Sequence, residues 1–67
     1  MLTFKEYFIM ENVEIQLQQE HSGNWNTFQR VADNPLIILR AMEELKHRYP
    51  RQAVRAMSNG MIVNILP

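Results

Sequence analysis

The feature that most narrows the folds open to this chain is Asn59-Gly60, set between two strand-like runs, Val54 to Ser58 and Met61 to Leu66. A type I′ turn needs positive φ at both central residues, and Asn-Gly is the dipeptide that meets this need most readily. Counting outward from that turn, Ser58 faces Met61, Met57 faces Ile62, Ala56 faces Val63, Arg55 faces Asn64 and Val54 faces Ile65. Val54, Ala56, Val63 and Ile65 then share one face, while Arg55 and Asn64 share the other with Met57 and Ile62. A slip of one residue would mix these sets, so turn and pattern agree on a single register.

Upstream, Val13-Glu14-Ile15-Gln16-Leu17-Gln18-Gln19 alternates apolar and polar residues, the period of a half-buried strand. Glu20 to Asn24 has turn composition, and Trp25 to Val31 resumes an extended pattern. A tight turn at Ser22-Gly23 would place Leu17 opposite Phe28 and Ile15 opposite Arg30; a register shifted by one pairs Val13 with Val31 instead. Both remain open at this level. Asn34 is a good helix N-cap and Pro35 suits the first helical position, whose N–H has no partner in any case. Ile38, Leu39, Met42, Leu45 and Tyr49 recur at helical spacing, and Pro50 stops the run, so a helix is predicted over 35–48. Its last turn carries Lys46, His47 and Arg48, which complement the helix dipole. At the start of the chain, Thr3 and Glu6 fit a capping box, and Phe4, Tyr7, Phe8 and Ile9 make residues 3–11 read as a short amphipathic helix.

The expected fold class is therefore α+β: a short N-terminal helix, a β-hairpin, a long amphipathic helix and a C-terminal hairpin, with one helix packed on a small antiparallel sheet. Residues 1–67 read as one small domain, with 1–11 as a docking or dimerisation arm. The charge-free run Met61 to Leu66 is an aggregation hazard if left unpaired, so it is expected in the centre of the sheet or buried in a dimer.

With 67 residues, a chain buries only about 60% of the surface its unfolded form exposes, so small domains lean on disulfides, metals or self-association. There is no cysteine, and His21 and His47 are not at metal-ligand spacing. A homodimer is the support that remains. No cofactor or metal is expected, and the missing cysteines suit a reducing compartment. No segment reaches the roughly 20 apolar residues of a membrane span, and the first twelve residues lack the charged start and apolar core of a signal peptide.

No serine or threonine sits in a histidine-plus-carboxylate pattern, and the adjacent Glu43 and Glu44 point in different directions on a helix. A chain this small rarely builds a water-excluding cleft, so no catalytic residue is assigned. Five methionines and Trp25 suggest a different use, because exposed methionines with aromatics mark adaptable protein-binding surfaces. The candidate protein-binding residues are Trp25, Phe28, Met57, Ile62, Phe4 and Phe8. The competing reading of Phe4 and Phe8 is that the first helix simply covers the Met57/Ile62 face. A second candidate surface is basic: Arg40, Lys46, Arg48, Arg51 and Arg55 supply five of the seven formal cations. They fit a nucleic-acid surface, or else a solvated helix end diluted by Glu43 and Glu44; the formal net charge of zero gives no global support to the former.

Several of these features recur together: Gly23-Asn24-Trp25, the Asn34-Pro35 helix start, the basic helix end closing at Pro50, Val54-Arg55-Ala56, Gly60 and Val63-Asn64-Ile65-Leu66. With Leu2 to Phe8, this set resembles short proteins encoded by tailed bacteriophages. Those more often carry a polar or basic residue after the turn glycine, where this chain has Met61. The resemblance covers about two thirds of the chain and rests on structural motifs alone, so it transfers no site residue. It implies a stoichiometric, non-enzymatic binder of a host or defence protein in the host cytoplasm. Nucleic-acid binding and a structural or scaffolding role in a virion stand as alternatives.

Overall fold

The computed structural model describes residues 11–67. Strand β1 (Val13–Gln18) is followed by β2 (Trp25–Val31), helix α1 (Pro35–Arg48), β3 (Val54–Ser58) and β4 (Met61–Leu66). All neighbours pair antiparallel in the order β2-β1-β3-β4. The expected α+β architecture, one helix on a four-stranded antiparallel sheet, is what forms. The N-terminal helix read over 3–11, with Phe4 and Phe8, falls almost wholly on residues 1–10, outside the described residues.

Since β2 and β3 are each antiparallel to β1, they run in the same direction. The chain joins them by carrying α1 across one face of β1. Asn34 starts the helix as foreseen: its extended backbone (φ −137°, ψ 124°) lets the side-chain oxygen accept from the N–H groups of Leu36 (3.0 Å) and Ile37 (3.3 Å). Ile38, Ala41, Met42 and Leu45 form the buried stripe of α1. Leu39, one of the apolar residues at helical spacing, is exposed, and Ala41 takes the inward place because the helix leans toward β1 and β3. The sheet answers with Val13, Ile15, Leu17, Val31, Val54 and Ala56, and Tyr49 and Leu66 close over the edge of this core. Apolar burial of this kind stabilises by about 25 cal/mol per Å² and is the main force holding so short a chain together.

Both hairpins depart from simple registers. In the first, Val13 does pair with Val31, but the register shifts after Ile15/Gln29 so that Gln16 meets Thr27 and Phe28 is the extra residue. In the second, Asn59 (φ 52°) and Gly60 (φ 76°) adopt the required left-handed conformations. Ser58 pairs with Met61 and Met57 with Ile62. The register then shifts: Ala56 meets Asn64, Arg55 meets Ile65, Val54 meets Leu66, and Val63 is the extra residue. The expected seating of α1 on Val54, Ala56, Val63 and Ile65 is thus corrected. Val54 and Ala56 are fully buried, whereas Val63 and Ile65 are 51% and 45% exposed. Beyond the bulge the two faces exchange, and Leu66 takes the inward position expected of Ile65. Strand β4 is also not central. It forms one edge of the sheet, because β3 pairs on its other side with β1, which is already flanked by β2.

Candidate functional site

The helix covers one face of the sheet; the other face carries the side chains that the alternation of β1 turns outward. Cross-strand pairing arranges them in rows. Arg30, Glu14, Met57 and Ile62 form one row, and Thr27, Gln16, Arg55 and Ile65 the next. Trp25 lies at the end, opposite Gln18. The β2/β1 half is polar and the β3/β4 half is apolar, with Arg55 at the junction.

The polar half is tied together. The Thr27 hydroxyl donates to Glu14 Oε1 at 2.6 Å, and Gln16 Nε2 donates to Thr27 Oγ1 at 3.1 Å and to Glu14 Oε1 at 3.4 Å. Arg30 lies 3.8 Å from the other Glu14 oxygen. The Thr27 hydrogen bond, with the Arg30 charge and Gln16, holds the Glu14 carboxyl below its ordinary pKa, against a smaller opposing effect of desolvation. Gln16 Oε1 in turn accepts from Arg55 Nε at 2.8 Å, and the Arg55 guanidinium lies 4.2 Å from the centroid of the Trp25 ring. Trp25 therefore holds the arginine by a cation–π contact across β1.

The apolar half has no such network. On this face Ile62 and Ile65 are exposed and Met57 is half-buried. Along the free edge, the bulge at Val63 interrupts the ladder, and the Ile65 N–H is taken by the Asn64 side-chain oxygen at 2.8 Å. Bulges and satisfied edge groups are devices that discourage strand addition. What this side offers a partner is chiefly its side chains.

The structure brings together three of the predicted protein-binding residues, Trp25, Met57 and Ile62, on this outer face. Phe28 is not with them: displaced by the first bulge, it meets the Tyr49 ring edge-on at 5.8 Å, on the helix side. Phe4 and Phe8 lie outside the described residues. Ile65, Gln16, Thr27 and Arg30 join the face without having been singled out. The Glu14/Gln16 alternation carries a signal for two β1 positions beside them, but the bulge that turns Ile65 outward has none.

The predicted basic surface is divided. Arg40 and Arg48 lie on the outer flank of α1 among Glu43, Glu44 and His47. Lys46 Nζ is used within the fold, donating to the Gln52 carbonyl at 2.7 Å. Arg51 is exposed in the loop before β3, and Arg55 is on the opposite face of the sheet. A shallow hollow of about 320 Å³ lies where Leu17, Phe28, Tyr49 and Gln52 meet the β1–β2 turn; its titratable neighbours are Glu20, His21 and Tyr49. Among the described residues, no group of three or more His, Cys, Asp or Glu side chains is placed to hold a metal ion. No described helix is long and apolar enough to cross a membrane. Comparison of the chain with protein-family models, with curated proteins and with solved structures finds no match, so the reading of function rests on the geometry of this face.

Proposed function

We propose that this chain acts by binding another protein through the outer face of its sheet, as a stoichiometric and non-catalytic partner. The observation that carries the reading is the apolar surface formed by exposed Ile62 and Ile65 with half-buried Met57, beside the Trp25–Arg55 pair. Isolated exposed apolar side chains are normal, whereas a contiguous set bordered by polar groups is the mark of an interaction surface. Aromatic, methionine and arginine side chains are those enriched at the centres of such surfaces. The phage-type resemblance adds the class of target, a host or defence protein in the host cytoplasm, by association alone. The dimer expected from chain length would use the same face.

The test is capture of binding proteins from a bacterial lysate by the tagged full chain, with and without nuclease, beside Ile62→Asp and Met57→Ala. Partner bands lost in the variants and unaffected by nuclease support the reading. Capture unchanged by both substitutions overturns it, as does capture abolished by nuclease. The nuclease result would favour the nucleic-acid alternative, which the divided basic residues otherwise leave weak. Light scattering of the same samples measures the dimer directly, and a monomer at all concentrations removes it.

A further inference from the structure

We infer that the segment this face takes is acidic where it meets Arg55: a protein segment presenting a carboxylate to that guanidinium and apolar side chains to Met57, Ile62 and Ile65. The inference rests on the protein-binding reading and names the chemistry of the partner. Arg55 is half-buried, stacked on Trp25 at 4.2 Å and fixed through Nε to Gln16 at 2.8 Å. Gln16 is itself held by Thr27 and Glu14. A guanidinium oriented from both sides loses little freedom when it binds, so each new hydrogen bond is kept as affinity.

Among the described residues, Arg55 makes no hydrogen bond besides the one to Gln16 and lies in no ion pair; the ion pair of this face is Arg30 with Glu14. The two terminal amino groups of Arg55 are thus left as an end-on fork, the geometry that matches both oxygens of a carboxylate. The outer rows hold one acidic side chain, already engaged, and two arginines, so the unbalanced charge is a single positive one at Arg55. One cation beside three apolar side chains suits a carboxylate flanked by hydrophobic residues. A nucleic-acid backbone draws its affinity from many phosphate contacts along a track, which this face does not supply.

The test uses short capped peptides with apolar flanks around a central Asp, Glu, Asn, Gln or Lys, arrayed and probed with the full chain. An oligothymidine is probed alongside. Wild type is expected to bind the Asp and Glu peptides at least tenfold more tightly than their amide counterparts. Arg55→Gln should erase this discrimination, and Arg55→Lys should keep only part of it. Near-UV circular dichroism of Trp25 checks that the variants keep the folded face, and the acid-to-amide ratio does not depend on a modest loss of stability. Equal binding of acid and amide peptides by wild type overturns the inference, as do discrimination that survives Arg55→Gln and absence of any bound peptide. Tighter binding of the oligothymidine than of every peptide overturns it also. If lysate capture is lost in Ile62→Asp but kept in Arg55→Gln, protein binding stands and this inference falls.

Discussion

Replacing Ile15 and Ile65 by alanine, one at a time, tests whether the two faces of the sheet differ as the structure says. Each change removes three carbons, about 2.4 kcal/mol of transfer free energy at ~0.8 kcal/mol per buried methylene. Ile15 is fully buried between β1, β3 and the helix, so the lost atoms also leave a cavity. Its cost should reach about 3–4 kcal/mol. Ile65 keeps 45% of its surface exposed, and the space it vacates opens to solvent. Only about half the transfer term is lost there and no sealed cavity remains, so about 1 kcal/mol is expected. The total stability of a chain this long is on the order of 3–10 kcal/mol, so Ile15→Ala should come near to unfolding while Ile65→Ala should not. Urea titration followed by fluorescence of Trp25, the single tryptophan, reads both against wild type. Equal costs would refute the assignment of Ile65 to an open face. A cost at Ile65 that grows with protein concentration would show that a second copy covers it in solution.

The remaining predictions concern single elements. Asn34→Ala removes the acceptor of two helix N–H bonds and should cost about 1 kcal/mol, read as a lower melting temperature at unchanged core packing. At Gly60 a Cβ would meet nothing within 4 Å, so Gly60→Ala should cost only the left-handed backbone strain, about 1 kcal/mol; a much larger loss would mean the turn packs against something. Because folding lowers the pKa of Glu14, its contribution is present above the ordinary glutamate value near 4.5 and is lost as pH falls through the folded-state value. Wild type should therefore lose more stability on acidification through that window than Glu14→Gln; equal losses would show that the Thr27 and Arg30 contacts do not form in solution.

Much of the fold was legible because the signals were local. The alternation of Val13, Ile15 and Leu17 against Glu14, Gln16 and Gln18 depends on nothing but the pleat, and it held along the whole of β1. Asn34 and Pro35 define a helix start by their own hydrogen-bonding properties, and Pro50 follows closely on its end. Asn59-Gly60 specified its turn and the two residue pairs nearest to it. The candidate site was legible only in part: Trp25, Met57 and Ile62 were singled out, but not the arginine stack and polar network that organise them.

What tertiary packing decided begins two residue pairs beyond that turn. In Met61 to Leu66 only Asn64 is polar, so the run does not say which alternate residues face inward. Either phase offers Val54 an apolar partner. The fold settles the matter by a bulge at Val63, which brings Leu66 against the core opposite Val54 and turns Ile65 outward next to Arg55. The outer position of Ile65 and the edge position of β4 both follow from how β3 docks on β1 and how the helix covers that junction. These are contacts between residues far apart in the chain, which a local pattern does not encode. Among the described residues, local sequence specified the strands, the helix and the Asn59-Gly60 turn, whereas the span of the first turn and the make-up of the outer face were decided where those elements meet.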